Sequence, residues 1–450
     1  MANEIIVIGS GAAGMSAASA AKSKCPEAKV TVFTEDEDVA YSPCAIPWGI
    51  EGKIPWEGLV MHTPEFYAKE RGIDIHTRTT VESVDDESKT VTAGGAQYHY
   101  DSLVIATGGK VFVPPISGAN LKNVFVVRTV RDGKNIQAAL KDATRVVIGG
   151  AGVIGLELAV AFKEMGKEVT VVEMMDQVIP RIADRDMADV IQKDLEGRGI
   201  RFVMKAPLQS VNGQDKVESV SAAGETIPCD VVIFATGVRA NLEIPKALGL
   251  DIGHLNAVIA SPTMNPYRRG RLVPDIFVAG DLVQCSSAVM PGATMSQLGS
   301  TAVKQGMIAG TNAVCKDKVL FGEVASPWVS CIGDNQIAGT GLSKGLASWY
   351  GIDVAEGKAE GTTRARYYPG GLPYRVKLLA DRTSHRIVGG QIVAGEGATG
   401  RIEWITMAVV CGMTAEDFLV KAETAYCPPT SMVRDPVLWA AEDLIKNLKQ

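Results

Sequence analysis

Two segments of this 450-residue chain repeat one pattern. Each is a short run of β-branched residues, then a glycine-rich turn spaced G-x-G-x-x-G, then an alanine-rich stretch with helical spacing; they start at Glu4 and Arg145. Each continues into a second apolar run, around Val30 and around Val169. A strand, a glycine turn, a helix and a second strand form a βαβ unit. The repetition therefore predicts an α/β chain with two nucleotide-binding halves.

The first glycine turn has the composition of a dinucleotide-binding loop. It contains Gly9, Gly11 and Gly14, with Ala12 and Ala13 between the last two. Glycines permit the tight turn and let the backbone approach a pyrophosphate, and the following helix N-terminus offers free amides and a partial positive charge. Because the turn lies between a predicted strand and a predicted helix, we interpret it as a dinucleotide site rather than as a purely structural turn.

The second glycine turn carries an additional signal for the type of nucleotide. It contains Gly150, Gly152, Ile154 and Gly155, and Glu173 ends the next strand about twenty residues on. A carboxylate at that place accepts both ribose hydroxyls and repels a 2′-phosphate. The pattern favours NAD(H) over NADP(H). The alternative interpretation of Glu173 is a solvated charge at the end of a strand.

The first half is less regular at the corresponding place. Its second strand ends at Thr34, where an acidic residue would be expected, and Glu35 follows one position later. Either Glu35 binds the ribose or no carboxylate does so here, and the sequence leaves both open.

Later strand ends add to the pattern. Each half closes with an apolar run that ends in A-T-G. In the first half this triplet is Ala106–Thr107–Gly108, and in the second half it is residues 235–237, which end at Gly237. A third apolar run ends in A-G-D at Asp281. A single aspartate there could simply cap a turn. Together with two glycine turns, these strand ends predict two separate cofactor sites.

Composition excludes several classes of protein. Hydrophobic residues make up 46% and charged residues 21%, which is ordinary for a soluble globular protein of two to four domains. The net charge is −6, so nucleic acid and anionic membranes are poor partners. The start of the chain lacks the pattern of a signal peptide, and no apolar run is long enough to span a bilayer. We expect a cytoplasmic protein without a membrane partner.

The cysteines argue against a metal centre. The chain has eight cysteines and five histidines, without a C-x-x-C spacing. Zinc ribbons and iron–sulfur clusters held by this chain are therefore disfavoured, and no metal is expected. Most of the cysteines are expected to be buried, inert thiols.

The carboxy-terminal part has a different texture. After about Gly322 the chain contains a predicted hairpin over residues 376–395 and predicted amphipathic helices over residues 400–419 and 435–448, without a third glycine turn. This indicates an α+β domain that does not bind a nucleotide by such a loop.

Together these motifs resemble the pyridine nucleotide–disulfide oxidoreductase family of FAD- and NAD(P)-dependent flavoproteins, over nearly the whole chain. The resemblance implies two Rossmann-like dinucleotide-binding domains and an α+β dimerisation domain. It implies that the first loop holds FAD, that Asp281 binds its ribityl–pyrophosphate region and that the second loop holds NAD(P)H. The implied domain boundaries are 1–114 and 241–321 for FAD, 115–240 for NAD and 322–450 for dimerisation.

The resemblance also extends the set of cofactor-binding residues. The segment that begins at Gly299 is similar to the family helix whose N-terminus faces the flavin pyrimidine. Amides near Leu298 and Gly299 would then stabilise negative charge on the reduced flavin. Val81 is also expected to line the FAD site.

A single cysteine identifies the branch of the family. Where glutathione-reductase-like members carry C-x-x-x-x-C, this chain reads AYSPCAIPWGI, with only Cys44. A lone cysteine at a helix N-terminus beside a flavin is expected to be a reactive thiolate, although a buried inert thiol is the general alternative. The stretch is similar to CoA-disulfide reductases, NADH oxidases, NADH peroxidases and polysulfide or persulfide reductases.

Residues at other positions indicate which members of the single-cysteine branch this chain resembles most. Members that reduce peroxide or oxygen have a histidine where this chain has Ala12, which argues against an NADH peroxidase. Two tyrosines of the partner subunit cover the cysteine in CoA-disulfide reductases, and Tyr367 and Tyr426 resemble them. The chain departs from the CoA-type motif at Ala40 and Pro43, which removes groups expected to orient CoA.

Cys427 follows Tyr426 directly. It could be a second thiol near the site, but a buried cysteine is the favoured interpretation.

Two classes of function follow. The first is an enzyme in a homodimer that passes electrons from NADH through FAD to Cys44 and on to a disulfide, polysulfide or persulfide. The second is a subunit that passes electrons between NAD(H) and an iron–sulfur partner chain, as in some 2-oxoacid oxidoreductases. An NADH oxidase is a further alternative within the first class.

Overall fold

The computed structural model describes residues 3–450, which contain three five-stranded sheets. The first is parallel and comes from distant parts of the chain; in spatial order its strands are Ile276–Val278, Ser102–Ile105, Glu4–Ile8, Lys29–Phe33 and Ile73–His76. The second is also parallel, with the strand order Arg201–Val203, Glu168–Val172, Arg145–Gly149, Val231–Phe234 and Val124–Val126. Both contain the βαβ units that the glycine turns predict.

The third five-stranded sheet is antiparallel and lies in the carboxy-terminal part. Its strand order is Trp328–Ile332, Asn335–Gly341, Ile387–Ala394, Pro373–Asp381 and Val354–Thr362. The predicted hairpin over residues 376–395 corresponds to two neighbouring strands of this sheet. The α/β class with an α+β carboxy-terminal part is thus confirmed.

Smaller sheets flank or connect the large ones. The strands Gly109–Val111 and Val238–Ala240 pair across the two halves directly after the two A-T-G turns. The remaining paired strands are Val81–Asp85 with Thr90–Ala93 and Ala96–His99, Leu208–Asn212 with Ser219–Ala222 and Glu225–Pro228, Val258–Ile259 with Val283–Ser286 and Ala293–Thr294, and Tyr267–Arg268 with Arg271–Leu272.

The helices cover the faces of these sheets. The α-helices are Ala12–Lys24, Ile46–Glu51, Trp56–Leu59, Pro64–Phe66, Val130–Leu140, Val153–Glu164, Arg185–Gly197, Glu243–Ala247, Gly299–Val314, Lys344–Trp349, Ala398–Val410, Ala415–Lys421 and Pro436–Leu448. A 3₁₀ turn spans Pro43–Ala45 and a π turn spans Tyr67–Arg71. None of these helices, taken over residues 3–450, has the length and apolar character that crossing a membrane would require.

Small residues allow the helix Gly299–Val314 to return to the first sheet. A Cβ atom added at Gly306 would lie 2.1 Å from the backbone oxygen of Ala13, and one at Gly310 would lie 2.0 Å from that of Ala17. Such distances are far below any van der Waals contact, so only glycine lets the two helix backbones approach this closely. The contact brings the N-terminus of the later helix beside the first glycine turn.

Candidate cofactor and redox site

The first glycine turn is shaped by two backbone contacts. Gly9 has φ +108°, and a Cβ on it would lie 2.3 Å from the backbone oxygen of Ala106. A Cβ on Gly14 would lie 1.9 Å from the oxygen of Gly9, so the helix packs directly on the turn. Gly11 differs, because no atom lies within 4 Å of its would-be Cβ. The open side of the turn is therefore at Gly11, where a pyrophosphate would approach.

The helices that face the predicted cofactor sites begin without a side-chain cap. The N-cap residues of the helices Ala12–Lys24, Val153–Glu164 and Gly299–Val314 are Gly11, Gly152 and Leu298, and none of them provides a side-chain acceptor for the first amides of its helix. Several other helices have filled caps; these involve Thr63, Thr129, Ser343, Thr414 and Asp435. Free amides at a helix N-terminus bind phosphate or another negative group. The helices Arg185–Gly197 and Ala398–Val410 also lack a side-chain cap, so the fit to two dinucleotides rests on the glycine turns together with the open ends beside them.

The second glycine turn reproduces the first. Gly150 also has φ +108°, and its would-be Cβ lies 2.5 Å from the backbone oxygen of Ala235. A Cβ on Gly155 would lie 2.1 Å from the oxygen of Gly150, and Gly152 has open space. Ile154 is 45% exposed on the first turn of the helix. The geometry that a pyrophosphate requires is thus present twice.

Glu173 is buried at the mouth of the second turn. Only 6% of the residue is exposed. Its Oε2 accepts a hydrogen bond from the amide of Ala151 at 2.8 Å, and its Oε1 accepts one from Met175 at 2.8 Å. Each carboxylate oxygen keeps a second lone pair for a further donor. The alternative of a solvated strand-end charge is therefore wrong, while the ribose role stays a prediction.

Thr34 takes the equivalent place in the first half. It is 4% exposed, and its Oγ1 accepts a hydrogen bond from the Ser10 hydroxyl at 3.0 Å and from the amide of Asp36 at 3.2 Å. Glu35 is exposed beside it. Burial, and then the charge of Glu35, raise the pKa of Asp36. The first turn is braced by hydroxyls, and Glu35 is free to reach a ligand.

The A-T-G turns lie against both glycine turns. The amide of Ala106 donates to Ile8 O at 2.8 Å, and the Thr107 hydroxyl donates to Asn241 O at 3.2 Å. Gly108 and Gly237 have φ +61° and +102°, so each turn needs the freedom of glycine where its strand leads into the connecting pair.

Arg128 joins this group although the sequence analysis did not single it out. Its guanidinium donates to Asp281 Oδ2 at 3.0 Å, across 153 residues of sequence, and its Nη2 lies 3.3 Å from the would-be Cβ of Gly108. The one local signal is the capping box that starts at Thr129 directly after it. Asp281 is thus held by an arginine at the edge of the first cofactor site.

The other predicted residues of the first site occupy its periphery. Leu298 and Gly299 form the open end of the returning helix, as described above. Val81 is half-buried and begins the strand Val81–Asp85, which packs on the core of the first sheet.

Cys44 lies in the 3₁₀ turn Pro43–Ala45 and is exposed. Directly before this turn, the amide of Ala40 approaches the backbone oxygen of Ser10 in the first glycine turn at 3.4 Å. Directly after it, the helix Ile46–Glu51 buries its apolar residues in the core of the second sheet. The cysteine therefore lies where the two halves meet, and the alternative of a buried inert thiol is wrong for this residue.

The two candidate tyrosines meet each other at the surface of the carboxy-terminal part. Tyr367 is 74% and Tyr426 42% exposed, and their hydroxyls form a hydrogen bond. The hydrogen bond with Tyr367 raises the pKa of Tyr426. Within residues 3–450 of one chain the bond joins the tyrosines to each other and not to Cys44. Their position over a partner's cysteine stays a prediction.

Most cysteines of this chain are less buried than the prediction of inert, buried thiols requires. Cys229 and Cys285 are buried, Cys25 and Cys315 are half-buried, and the exposed ones are Cys44, Cys331, Cys411 and Cys427. The favoured interpretation of Cys427 as a buried thiol is therefore wrong. Apolar neighbours in sequence did not reveal which cysteines face solvent, because that depends on strand register and helix ends.

One half-buried acid, Glu157, lies at the boundary between the second and third sheets. Burial raises the pKa of Glu157 to about 7, although a hydrogen bond from the Ser330 hydroxyl, 2.6 Å from its Oε1, acts in the opposite direction. Glu157 belongs to the helix Val153–Glu164, and Ser330 to the strand Trp328–Ile332. We call each parallel sheet, with its glycine turn and the helices packed on it, a glycine unit: the first contains the strand Glu4–Ile8 and the second the strand Arg145–Gly149. The contact between Glu157 and Ser330 joins the second glycine unit to the carboxy-terminal part.

Family models match both parts of the chain. The model described as pyridine nucleotide-disulphide oxidoreductase matches residues 3–306, and its dimerisation domain matches residues 329–436. An NADH oxidase of Methanocaldococcus jannaschii is 42% identical over 98% of this chain and 99% of its own length. An NAD(P)H coenzyme A polysulfide/persulfide reductase of Pyrococcus horikoshii is 33% identical over 99% of each chain.

Solved structures agree with these matches. The NAD-dependent persulfide reductase of A. fulgidus superimposes with a TM-score of 0.93 and 31% identity, over 98% of this chain and 82% of its own. An engineered water-forming NADPH oxidase, made from the NADH oxidase of Lactobacillus brevis, gives a TM-score of 0.92 and 25% identity over 99% of each chain. This chain therefore belongs to the pyridine nucleotide-disulphide oxidoreductase family, whose enzymes use FAD and NAD(P)H.

Proposed function

We propose that this chain transfers electrons from NADH through FAD to Cys44, and from Cys44 to a small disulfide, polysulfide or persulfide. The observation that carries the proposal is the position of Cys44, exposed at the junction of the two glycine units. A thiol that relays electrons has to be reachable by both the flavin and an outside substrate.

The first glycine unit is the proposed FAD site. The open amides at Gly11 would bind the pyrophosphate, and Asp281, held by Arg128, would bind the ribityl region. The open helix end at Leu298 and Gly299 would face the negative charge of the reduced ring. When bound, FAD accepts two electrons from the nicotinamide and makes them available to Cys44.

The second glycine unit is the proposed NADH site, with Glu173 rejecting the 2′-phosphate of NADPH. The engineered NADPH oxidase supports this role. Its substitutions affect a glycine and then three consecutive residues that begin with an aspartate 18 residues later. The last substitution affects a proline five residues after the third of these. This chain has Gly155, Glu173, Met174, Met175 and Pro180 at the same intervals.

At Cys44 the chemistry is thiol–disulfide exchange. The Cys44 thiolate attacks one sulfur of the substrate, the sulfur–sulfur bond of the substrate breaks, and the leaving half departs as a thiolate that takes up a proton. Two electrons and one proton then cleave the mixed disulfide, which returns Cys44 and releases the second thiol. The sum is one disulfide reduced to two thiols for each NADH oxidised.

The substrate class follows from the surroundings of Cys44. The side chains of Ala40 and Pro43 offer no hydrogen bond to CoA, so we propose a polysulfide or persulfide as substrate before CoA disulfide. The P. horikoshii relative is named a coenzyme A polysulfide/persulfide reductase and the A. fulgidus structure a persulfide reductase, so both names support a polysulfide or persulfide, and the first includes coenzyme A as well.

The proposed assembly is a homodimer located in the cytoplasm. The carboxy-terminal part matches the family's dimerisation domain and exposes large apolar residues such as Tyr367, Met407 and Val433. We propose that Tyr367 and Tyr426 of each chain cover Cys44 of the other.

The decisive experiment is Cys44→Ser. We expect the purified variant to keep its yellow colour and flavin reduction by NADH, but to lose polysulfide and persulfide reduction by at least about 1,000-fold, because an alcohol does not undergo thiol–disulfide exchange. Cys411→Ser, at another exposed cysteine, serves as the control and should keep full activity. Sulfur reduction that survives in Cys44→Ser would overturn the proposal.

A second candidate is an NADH oxidase, favoured by the name of the M. jannaschii relative. The same assay distinguishes it when oxygen replaces the sulfur acceptor, with peroxide and water measured as products. The electron-transfer subunit with an iron–sulfur partner stays a prediction, and a ferredoxin-type acceptor in the same assay tests it.

A further inference from the structure

Lys377 is a buried lysine far from the glycine turns in sequence. Its side chain is 2% exposed, on the strand Pro373–Asp381 of the third sheet. Its Nζ lies 3.0 Å from Asp184 Oδ2, also contacts Asp186, and lies 3.5 Å from Glu356 Oε2. A buried ammonium is costly unless carboxylates surround it. Two of the three come from the second glycine unit, so Lys377 ties that unit to the third sheet.

Asp184 forgoes a local bond to make this contact. It occupies the N-cap position of the helix Arg185–Gly197, where an aspartate ordinarily accepts from its own helix amides, yet it makes no such bond. Its Oδ1 instead accepts from the amide of Lys344 at 2.8 Å, and its Oδ2 accepts from Lys377. The tertiary contact has displaced a helix cap worth about 1 kcal/mol.

Asp184 ends a segment that begins at Glu173, and we call residues 173–184 the nucleotide segment. Two residues in it have positive φ, Ile179 at +48° and Arg181 at +73°, which is unfavourable for a β-branched or long side chain. The amide of Ile179 donates to Ala151 O in the second glycine turn at 2.8 Å. The oxygen of Arg181 accepts from the Ser343 hydroxyl of the carboxy-terminal part at 2.6 Å. Hydrogen bonds at Ile179, to the second glycine turn, and at Arg181, to the carboxy-terminal part, therefore hold the strained backbone in place.

Apolar packing holds this segment on the second sheet, in whose core Val178 and Ala183 are buried. Towards the third sheet the segment lines a cavity of about 530 Å³. The contacts that join the segment to the third sheet are polar, and the ion pairs of Lys377 are among them. Burial alone would raise the pKa of Asp186, but hydrogen bonds from Lys377 and Lys358 leave that pKa lowered, so the carboxylate of Asp186 is charged at neutral pH.

We propose that Lys377 is a positioning residue for the NADH site of its own chain. Through Asp184 it keeps the nucleotide segment in the conformation in which Glu173 and Ile179 hold Ala151 from its two sides. The carboxy-terminal part thereby sets the affinity for NADH, although it has no glycine turn of its own. This inference rests on the proposed function, which assigns NADH to the second glycine unit.

The test compares Lys377→Met and Asp184→Asn with wild type. Both variants should raise the KM for NADH about five- to tenfold, at the lower end of couplings between sites, and keep kcat within about twofold. Discrimination between NADH and NADPH should fall, and the flavin absorbance per chain should not change. Lys377→Arg keeps the charge and should recover part of the affinity. Asp184→Asn keeps the shape of the residue and decides the matter if Lys377→Met does not fold.

Arg401→Met provides the matched control. Arg401 forms another buried ion pair, with its Nε 2.7 Å from Asp435 Oδ2, and neither residue touches the nucleotide segment. Its loss should lower the melting temperature and leave the KM for NADH unchanged. A Lys377→Met or Asp184→Asn protein that behaves in this way would overturn the inference alone. A wild-type protein that does not bind NADH would overturn both the inference and the proposed function.

Discussion

The two glycine units share one backbone and differ in the side chains that complete it. Gly9 and Gly150 have the same φ of +108°, and both pack against the backbone oxygen of an A-T-G turn. At the next position the Ser10 hydroxyl donates to Thr34 in the first unit, while the backbone amide of Ala151 donates to Glu173 in the second. The backbone of the turn, which both units share, offers the free amides that a pyrophosphate needs. The side chain at the end of the next strand differs, because only the second unit has a buried carboxylate there.

The helices that follow the two turns also differ in their side chains, because an acidic residue in the second unit takes the place of a small residue in the first. Counted from the last glycine of each turn, Glu157 in the second unit corresponds to Ser16 in the first. Glu157 reaches Ser330 in the carboxy-terminal part, whereas the first helix packs with small residues against the helix Gly299–Val314. The first unit is thus closed by backbone contact within its own domain, and the second is connected to another domain by acidic side chains.

The largest expected effect comes from the glycines that both units share. Gly9→Ala places a Cβ 2.3 Å from Ala106 O at a positive φ, so we expect colourless or unfolded protein, measured by flavin absorbance after purification. Gly150→Ala has the same clash with Ala235 O at 2.5 Å, but should leave a yellow protein that NADH no longer reduces. If Gly150→Ala loses FAD instead, the assignment of one cofactor to each unit is wrong.

A smaller effect, on the preference for NADH over NADPH, is expected at Glu173 and not at Glu35, the acidic residues near the ends of the second strands of the two units. Glu173→Ala should lower the preference for NADH over NADPH about 10- to 100-fold, the equivalent of losing charge-assisted hydrogen bonds of about 1.5–3 kcal/mol. Stopped-flow reduction of the flavin by each nucleotide gives the ratio of kcat/KM values.

The matched change in the first unit is Glu35→Ala. Glu35 is exposed and braces no backbone group, so its removal should leave the nucleotide preference unchanged. A lower FAD content in Glu35→Ala would indicate that Glu35 binds the ribose of FAD. An unchanged FAD content would indicate that no carboxylate binds the ribose in the first unit.

The smallest effect concerns stability as a function of pH. The pKa of Glu157 is raised to about 7, so the folded protein keeps a proton that the unfolded chain releases above about 4.5. The stability contributed by this group is present at low pH and is lost as the pH rises through about 7. Glu157→Gln should therefore stabilise the protein at pH 8 by up to about 3 kcal/mol and little at pH 5, measured as melting temperatures.

Ser16→Ala is the control in the first unit. It should change the melting temperature equally little at both pH values, within the range of ordinary surface substitutions. A pH dependence of unfolding that is identical in wild type and Glu157→Gln would show that Glu157 is ionised in the folded protein at neutral pH.

The local geometry of this protein was predictable from the sequence. The two glycine turns, the helices that follow them and the A-T-G strand ends all follow from patterns within about twenty residues, because positive φ, tight turns and helical periodicity depend on neighbours along the chain. The resemblance built on them predicted the family and its cofactors, and the comparisons confirm both.

Only the tertiary structure decided which side chains complete the sites. The contact of Arg128 with Asp281 spans 153 residues and that of Lys377 with Asp184 spans 193. The exposure of Cys427 was likewise not readable from its neighbours. The physical reason is that the charge state, burial and partner of a side chain depend on what the fold brings next to it. The backbone path of a glycine turn, by contrast, depends on the steric limits of its own few residues.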